Sequence, residues 1–363
     1  QAERPAAMWP SFLWLTVFQI LTAIQLILAA GEKASPVIPI CFLTLTVVMW
    51  LYAAALRLGR CVGFELETIA FYLSTLSLAV TASSAPGSLP KQLLAIVLGM
   101  GLFLALGLFL RDLERVKKRR WLMAAGAIGL LGITLVLGKA KFGATNWVTL
   151  GGISFQPSEI AKIFYIFAGS ATLERLFRRR NLGLFMVLTG VCLLCLALMS
   201  DFGTACIFFA TFLVIAYLRS GDAATLALIC GGAAFGAGII VQFKPYILSR
   251  FAAWGHAWEA ASGSGYQQTR TMSAVASGGL FGAGPEEAWL KYVGAANTDL
   301  VFGVVSEEFG LLLALCVVVS YFQADAIVLN LLGDLLKGLT GYGYWLAAPA
   351  LALACLLYTS PSP

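Results

Sequence analysis

Three carboxylates lie in or beside a stretch that otherwise reads as membrane: Asp299, Glu307 and Glu308 in NTDLVFGVVSEEFG, Asn297 to Gly310. A carboxylate at the centre of a membrane helix costs roughly 2.5–3.5 kcal/mol on insertion scales, so such groups are paired or functional. On one continuous helix Glu307 would lie about 12 Å beyond Asp299. It would be turned about 80° from Asp299, and Glu308 about 180°. The two glutamates are therefore expected in different surroundings, one facing a cavity or a cation and the other packed against a neighbouring helix, where a carboxyl can be held protonated. In QPSEIAKI, Glu159 and Lys162 share a helix face and can neutralise each other. Gln156 and Pro157 suit the start of that helix. This reads first as a structural ion pair, with substrate contact as the alternative. Asp201 in SDFGTA precedes a small-residue helix start and reads as its cap.

Cations gather in the interval from Lys244 to Asp299, which holds Arg250, Arg270 and Lys291 with Tyr266, Gln267 and Gln268 nearby. So long a connection is functional or disordered rather than a passive link. Its apolar segment TMSAVASGGLF is expected to pack onto the membrane surface, and Glu286 and Glu287 to lie on a solvated face. Other chemistries are poorly supported. Cys192 and Cys195 form a CxxC, but inside an apolar span, where packing is the expected role. His256 is the single histidine, which argues against histidine-rich metal sites and Ser-His-Asp triads. GGLFGAG lacks the lysine of a phosphate-cradling loop.

The elements that must position these residues are membrane helices. Of 363 residues 60% are hydrophobic and 12% charged, with mean hydropathy +0.87, against about 25% charged in a soluble chain. Lipid permits only helices or closed barrels, and apolar runs of about 20 residues exclude barrel strands. The expected fold class is all-α, a polytopic helical bundle of about ten or more spans, with one long loop and a blurred pattern after residue 320. The first span is expected to be retained rather than cleaved as a signal peptide. Arg57, Arg60, the run Arg111 to Arg120, the run Glu174 to Arg180 and Arg219 fall on one side if spans alternate. By the positive-inside rule that side, with the N-terminus, is cytoplasmic. The net charge of +6 is thus a topology signal, and no nucleic-acid partner is expected. KFGATNWVTLGGISFQPS, MSDFG and the 244–299 loop then lie outside, with Asp299 at the outer mouth of a helix.

GATNWVTLGGISFQPSEIAKI, SDFGTA, GYQQTRTMSAVASGGLFGAG and NTDLVFGVVSEEFG, in that order, resemble the SEDS (shape, elongation, division and sporulation) family. The resemblance runs from about residue 64 to 320, and four ordered motifs make it specific. It implies a bacterial cytoplasmic-membrane glycosyltransferase that polymerises lipid II into peptidoglycan glycan strands beside a class B penicillin-binding protein. Asp299 would be the catalytic carboxylate, and Glu159 with Lys162 an intramembrane ion pair important for activity. The implied reaction needs a general base for the attacking sugar hydroxyl, and cations or a divalent ion, Mg2+ or Mn2+, for the leaving pyrophosphate. Arg250 and Arg270 come first for that role, with Lys139, Lys141 and Lys291 also on the correct side, and Gln267 and Trp147 join Arg250, Arg270 and Lys141 as candidate substrate-binding residues. Direct displacement implies inversion at the anomeric carbon. Asp201, Glu307 and Glu308 would be supporting groups. A lipid II flippase and a non-catalytic scaffold for the transpeptidase are the alternatives.

The chain departs from the family pattern in three places. Asn146 stands where many relatives have Arg, which puts a phosphate contact there in doubt. Residues 1–60 read as two additional helices before the 64–320 core. Residues 321–363 lack the family's C-terminal block, and the chain starts with Gln, so an incomplete chain is expected.

Overall fold

The computed structural model describes residues 9–31, 35–58, 64–110, 118–141, 144–150, 153–173, 179–220, 229–234 and 255–338, with a few single positions between 227 and 242. The helices are α1 (Trp9–Ala30), α2 (Val37–Leu58), α3 (Glu65–Ser84), α4 (Leu89–Leu110), α5 (Arg120–Leu137), α6 (Pro157–Leu173), α7 (Arg179–Leu198), α8 (Phe202–Ser220), α9 (Tyr266–Gly278) and α10 (Val301–Gly338). Among the described residues six helical stretches are long and apolar enough to cross a membrane: α1, α2, α3, Pro86–Gly107, α5 and Val301–Ala324 of α10. Gly183–Leu198 and Phe202–Leu213 are shorter apolar helices. The ninth expected span, from about residue 224 to 243, lies largely outside the described residues, as do Arg250 and everything after residue 338.

Contacts divide the chain into two compact units, Gln1–Phe103 with Val241–Ile327, and Leu104–Ile240 with Val328–Pro363. In the first unit, α1 and α2 are fastened to α3 by a buried polar knot. Gln19 donates to Thr75 Oγ1 at 3.2 Å and accepts from Thr46 Oγ1 at 2.7 Å. The Trp50 indole donates to Thr16 at 3.1 Å and stacks on Trp9, over which the Arg57 guanidinium sits at 4.4 Å. The added helix pair is thus integral to this unit rather than an appendage. Gln19→Leu should cost only about 1 kcal/mol, because hydrogen bonds between membrane helices average ~0.6 kcal/mol. Both threonines also keep their bonds to helical carbonyls. Reversible unfolding in mixed micelles would measure it.

In the second unit, α5 to α8 close around Tyr165, Phe185, Phe208 and Phe212. The Tyr165 ring lies 4.8 Å from that of Phe208, and its buried hydroxyl meets Thr189 Oγ1 at 2.6 Å. Cys192 is buried in this core and, with Cys195, is a free thiol, as the packing role requires. The helical bundle carries one addition that the all-α expectation did not separate from loop. Residues 139–155 form a three-stranded antiparallel meander, β1 (Lys139–Lys141), β2 (Ala144–Leu150) and β3 (Ile153–Phe155). Its strands are too short and too polar to announce themselves by alternation in the sequence.

Candidate functional site

Asp299 is set by a tight turn. Ala295, at φ 68°, offers its carbonyl to the N–H groups of Thr298, Asp299 and Leu300 at 2.9–3.2 Å. That turn places the Asp299 carboxylate just before the first turn of α10, at the positive pole of the helix dipole. The side chain is half-buried. Burial raises its carboxyl above the ordinary aspartate value, and the Thr298 hydroxyl offsets this only in part.

The loop beside it is packed, not solvated chain. Ala274 of α9, Leu290 and Ala296 join Leu76 and Val80 of α3 and Val304, Val305 and Val317 of α10 in one buried cluster. TMSAVASGGLF buries Ala274 in this cluster and leaves the apolar Met272, Leu280 and Phe281 exposed. Glu286 and Glu287 are exposed, on the expected solvated face. Arg270 is exposed with its guanidinium 5.2 Å from the Tyr266 ring and 6.0 Å from the Trp289 ring, so the two rings limit where the charge can swing. Gln267 donates to the Gly294 carbonyl at 3.3 Å, tying α9 to the segment that leads into Asp299. Lys291 donates to the Pro285 carbonyl, and its ammonium lies 5.4 Å from the Tyr292 ring centre.

Glu307 and Glu308 are both buried; Glu308 packs against a neighbouring helix, as expected for one of the two, whereas the partner of Glu307 is loop backbone. Neither makes an ion pair with a cation among the described residues. Glu307 accepts the backbone N–H groups of Trp289 and Leu290 at 3.1 and 3.0 Å. Glu308 accepts the Ser83 hydroxyl on α3, and its second oxygen has no hydrogen-bond partner. The different environments follow from the turn of about 100° between consecutive helical residues. What the sequence could not supply was that a peptide backbone, rather than a side chain, would be the partner of Glu307.

In the second unit, Glu159 and Lys162 of α6 pair at 2.7 Å, with Lys162 buried and Pro157 opening the helix. Asp201 caps α8, accepting the Thr204 N–H at 3.2 Å and its hydroxyl at 2.9 Å. It also accepts the side-chain amides of Asn146 at 2.9 Å and Gln156 at 3.3 Å. Asn146 is therefore a buried strut from β2 to α8, a partnership hidden from the sequence. Alternation along β2 leaves Trp147 half-buried and Thr149 exposed, opposite the buried Asn146 and Val148. Trp147 pairs in register with Lys139; Lys141 lies at the end of β1.

A multi-span helical bundle with an acid at a helix mouth and a packed, cation-bearing loop defines a polytopic membrane protein. Residues 68–332 match the FtsW/RodA/SpoVE cell cycle protein family, and the chain belongs to that family. The match leaves α1 and α2 in front of it. The Escherichia coli probable peptidoglycan glycosyltransferase FtsW is 32% identical over 195 residues, 52% of this chain and 47% of that protein. That of Halorhodospira halophila is 29% identical over 285 residues, covering 76% and 69%. The chain spans about half the length of the Escherichia coli relatives it matches. In fold it resembles the Thermus thermophilus rod shape determining protein RodA, at TM-score 0.54, 22% identity and 80% and 81% coverage. It also resembles a chain of a peptidoglycan synthase complex solved for the coordination of polymerisation and crosslinking, at TM-score 0.61, 22% identity and 80% and 83% coverage.

Proposed function

We propose that this protein is a glycosyltransferase of the bacterial cytoplasmic membrane that polymerises lipid II, with Asp299 as general base. The observation that carries the reading is the Asp299 carboxylate itself: half-buried, raised in pKa, and held by a backbone turn at a helix mouth beside an ordered loop. A base works best when its pKa approaches the working pH. Burial moves an aspartate in that direction. Basic clusters orient the bundle with its N-terminus inside, so the Asp299 mouth faces outward, where sugars on a lipid anchor reside.

In the reaction, Asp299 takes the proton of the attacking sugar hydroxyl. The new glycosidic bond forms as the anomeric carbon–oxygen bond to the diphosphate breaks. Undecaprenyl pyrophosphate leaves with the electron pair, and configuration at the anomeric carbon inverts. Arg270 and Lys291 supply positive charge for the leaving diphosphate, with Gln267 holding α9 in place. No three His, Cys, Asp or Glu side chains converge among the described residues, so a Mg2+ or Mn2+ ion on the diphosphate would be held by phosphate oxygens and water with at most one or two carboxylates, Asp299 among the candidates. A class B transpeptidase is the partner this activity requires, because uncrosslinked strands build no wall. The relative in a synthase complex supports that pairing.

The test is to reconstitute the natural full-length chain, with its transpeptidase, in liposomes carrying labelled lipid II. Glycan strands of many disaccharides are expected. Lipid II reaching the opposite leaflet without polymer would replace this reading with a flippase. Partner binding with neither activity would leave a scaffold.

A further inference from the structure

Two motifs are not used by the chemistry above: GGLFGAG and the glycine that closes SEEFG. The structure joins them. Helix α10 is broken at Gly310, at φ 86° and ψ 170°, nine residues and about 13 Å into its span. In an unbroken helix the Glu307 and Glu308 carbonyls would accept the N–H groups of Leu311 and Leu312. Here Ala283 and Gly284 donate to those carbonyls at 2.8 and 3.1 Å. The Leu311 and Leu312 N–H groups donate instead to the carbonyls of Gly279 and Leu280, at 2.9 and 3.3 Å. Four of the groups freed by the break, the Glu307 and Glu308 carbonyls and the Leu311 and Leu312 N–H groups, are thus satisfied by residues 279–284, as irregular backbone at membrane depth requires.

The approach leaves no room for side chains at three points. A Cβ on Gly278 would lie 2.2 Å from the Ser306 carbonyl oxygen, one on Gly282 2.3 Å from that of Glu308, and one on Gly310 2.4 Å from the Gly282 nitrogen. Glu307 adds a second tie, its carboxylate holding the Trp289 and Leu290 N–H groups a few residues further along the same loop. The outer half of α10, residues 301–309, is therefore attached to the loop at its carbonyls and its carboxylate. The helical backbone between it and the inner part is interrupted at Gly310.

We propose that residues 278–290 splice the broken helix and position Asp299, so that Gly282 and Glu307 are positioning residues for the base. The functional half of this inference rests on the glycosyltransferase reading. A misplacement of about 1 Å far from the chemistry can cost 10²-fold in rate, so a splice that sets the half-helix sets the reaction.

The test compares Gly282→Ala, Gly284→Ala and Glu307→Gln in the full chain by hydrogen exchange and by polymerisation kinetics. Gly282 and Gly284 share φ +87°, but a Cβ on Gly284 meets nothing within 4 Å. Both alanines therefore carry the penalty of positive φ, and they differ in the clash with α10. Gly282→Ala should deprotect the amides of residues 283, 284, 311 and 312 together and lower kcat at least ten-fold at unchanged KM. Gly284→Ala should do markedly less. Glu307→Gln keeps one acceptor for two N–H groups and should deprotect 289 and 290, with kcat down several-fold. Equal effects of the two alanines, or loss of kcat with native protection, would overturn the splice. If the parent chain made no polymer, the exchange arm would still decide the splice, and only the glycosyltransferase reading would fall.

Discussion

Asp299→Asn, made in the full-length chain, should lower glycan polymerisation by about 10²–10⁴-fold, the usual contribution of a positioned general base. Asparagine preserves the size of the side chain and its hydrogen bonding to the 295–300 turn, so lipid II binding should survive and KM should change little. Stability gives an independent check. Burial raises the folded-state pKa above the unfolded value, so the ionised carboxylate costs stability at pH above the folded pKa. That cost disappears as pH falls below the unfolded pKa. The asparagine variant should therefore be no less stable than its parent at neutral pH while being inactive. The same sign governs the rate. Activity requires the ionised base, so it should fall on acidification at a pH above that of an unperturbed aspartate, about 3.9. A parent profile that stays flat down to that value, or an asparagine variant that polymerises normally, would remove Asp299 from the role.

Asp201 should give the largest stability effect. Its carboxylate collects four hydrogen bonds from β2, the α6 start and the first turn of α8. Alanine orphans several buried donors at roughly 1–3 kcal/mol each, so a loss on the order of 3 kcal/mol is expected. The informative variant is Asp201→Asn. As a helix cap alone, asparagine is about as good as aspartate and should rescue. As a hub it should not. With its oxygen toward Thr204, its NH2 faces the Asn146 and Gln156 amides; flipped, it abandons the cap. Thermal unfolding should place asparagine near alanine. Loss of amide protection at Thr145, whose N–H donates to the Met199 carbonyl at 3.0 Å, should locate the damage.

Much of this was legible in the chain itself. Twenty-residue apolar runs dictate membrane helices because lipid leaves backbone no other partner. Pro157 and Glu159 announce the start of α6, and Glu159 with Lys162 the i, i+3 pair, because helical spacing is a local property. Asp201 was readable as a cap for the same reason. The candidate base was legible too, since a carboxylate beside a hydrophobic run is costly wherever the chain goes. Long-range partners were not. Nothing local distinguishes Asn146 as a strut to Asp201, and nothing in SEEFG says that Glu307 would accept two backbone N–H groups from a loop about 17 residues earlier. Helical arithmetic applies only from Val301, because Asp299 lies in the turn before α10, and it stops at the break at Gly310. A glycine in a membrane helix is common and carries no sign of whether the helix continues. Only the tertiary structure decided that, by bringing residues 279–284 close enough to take over the hydrogen bonds that α10 gives up.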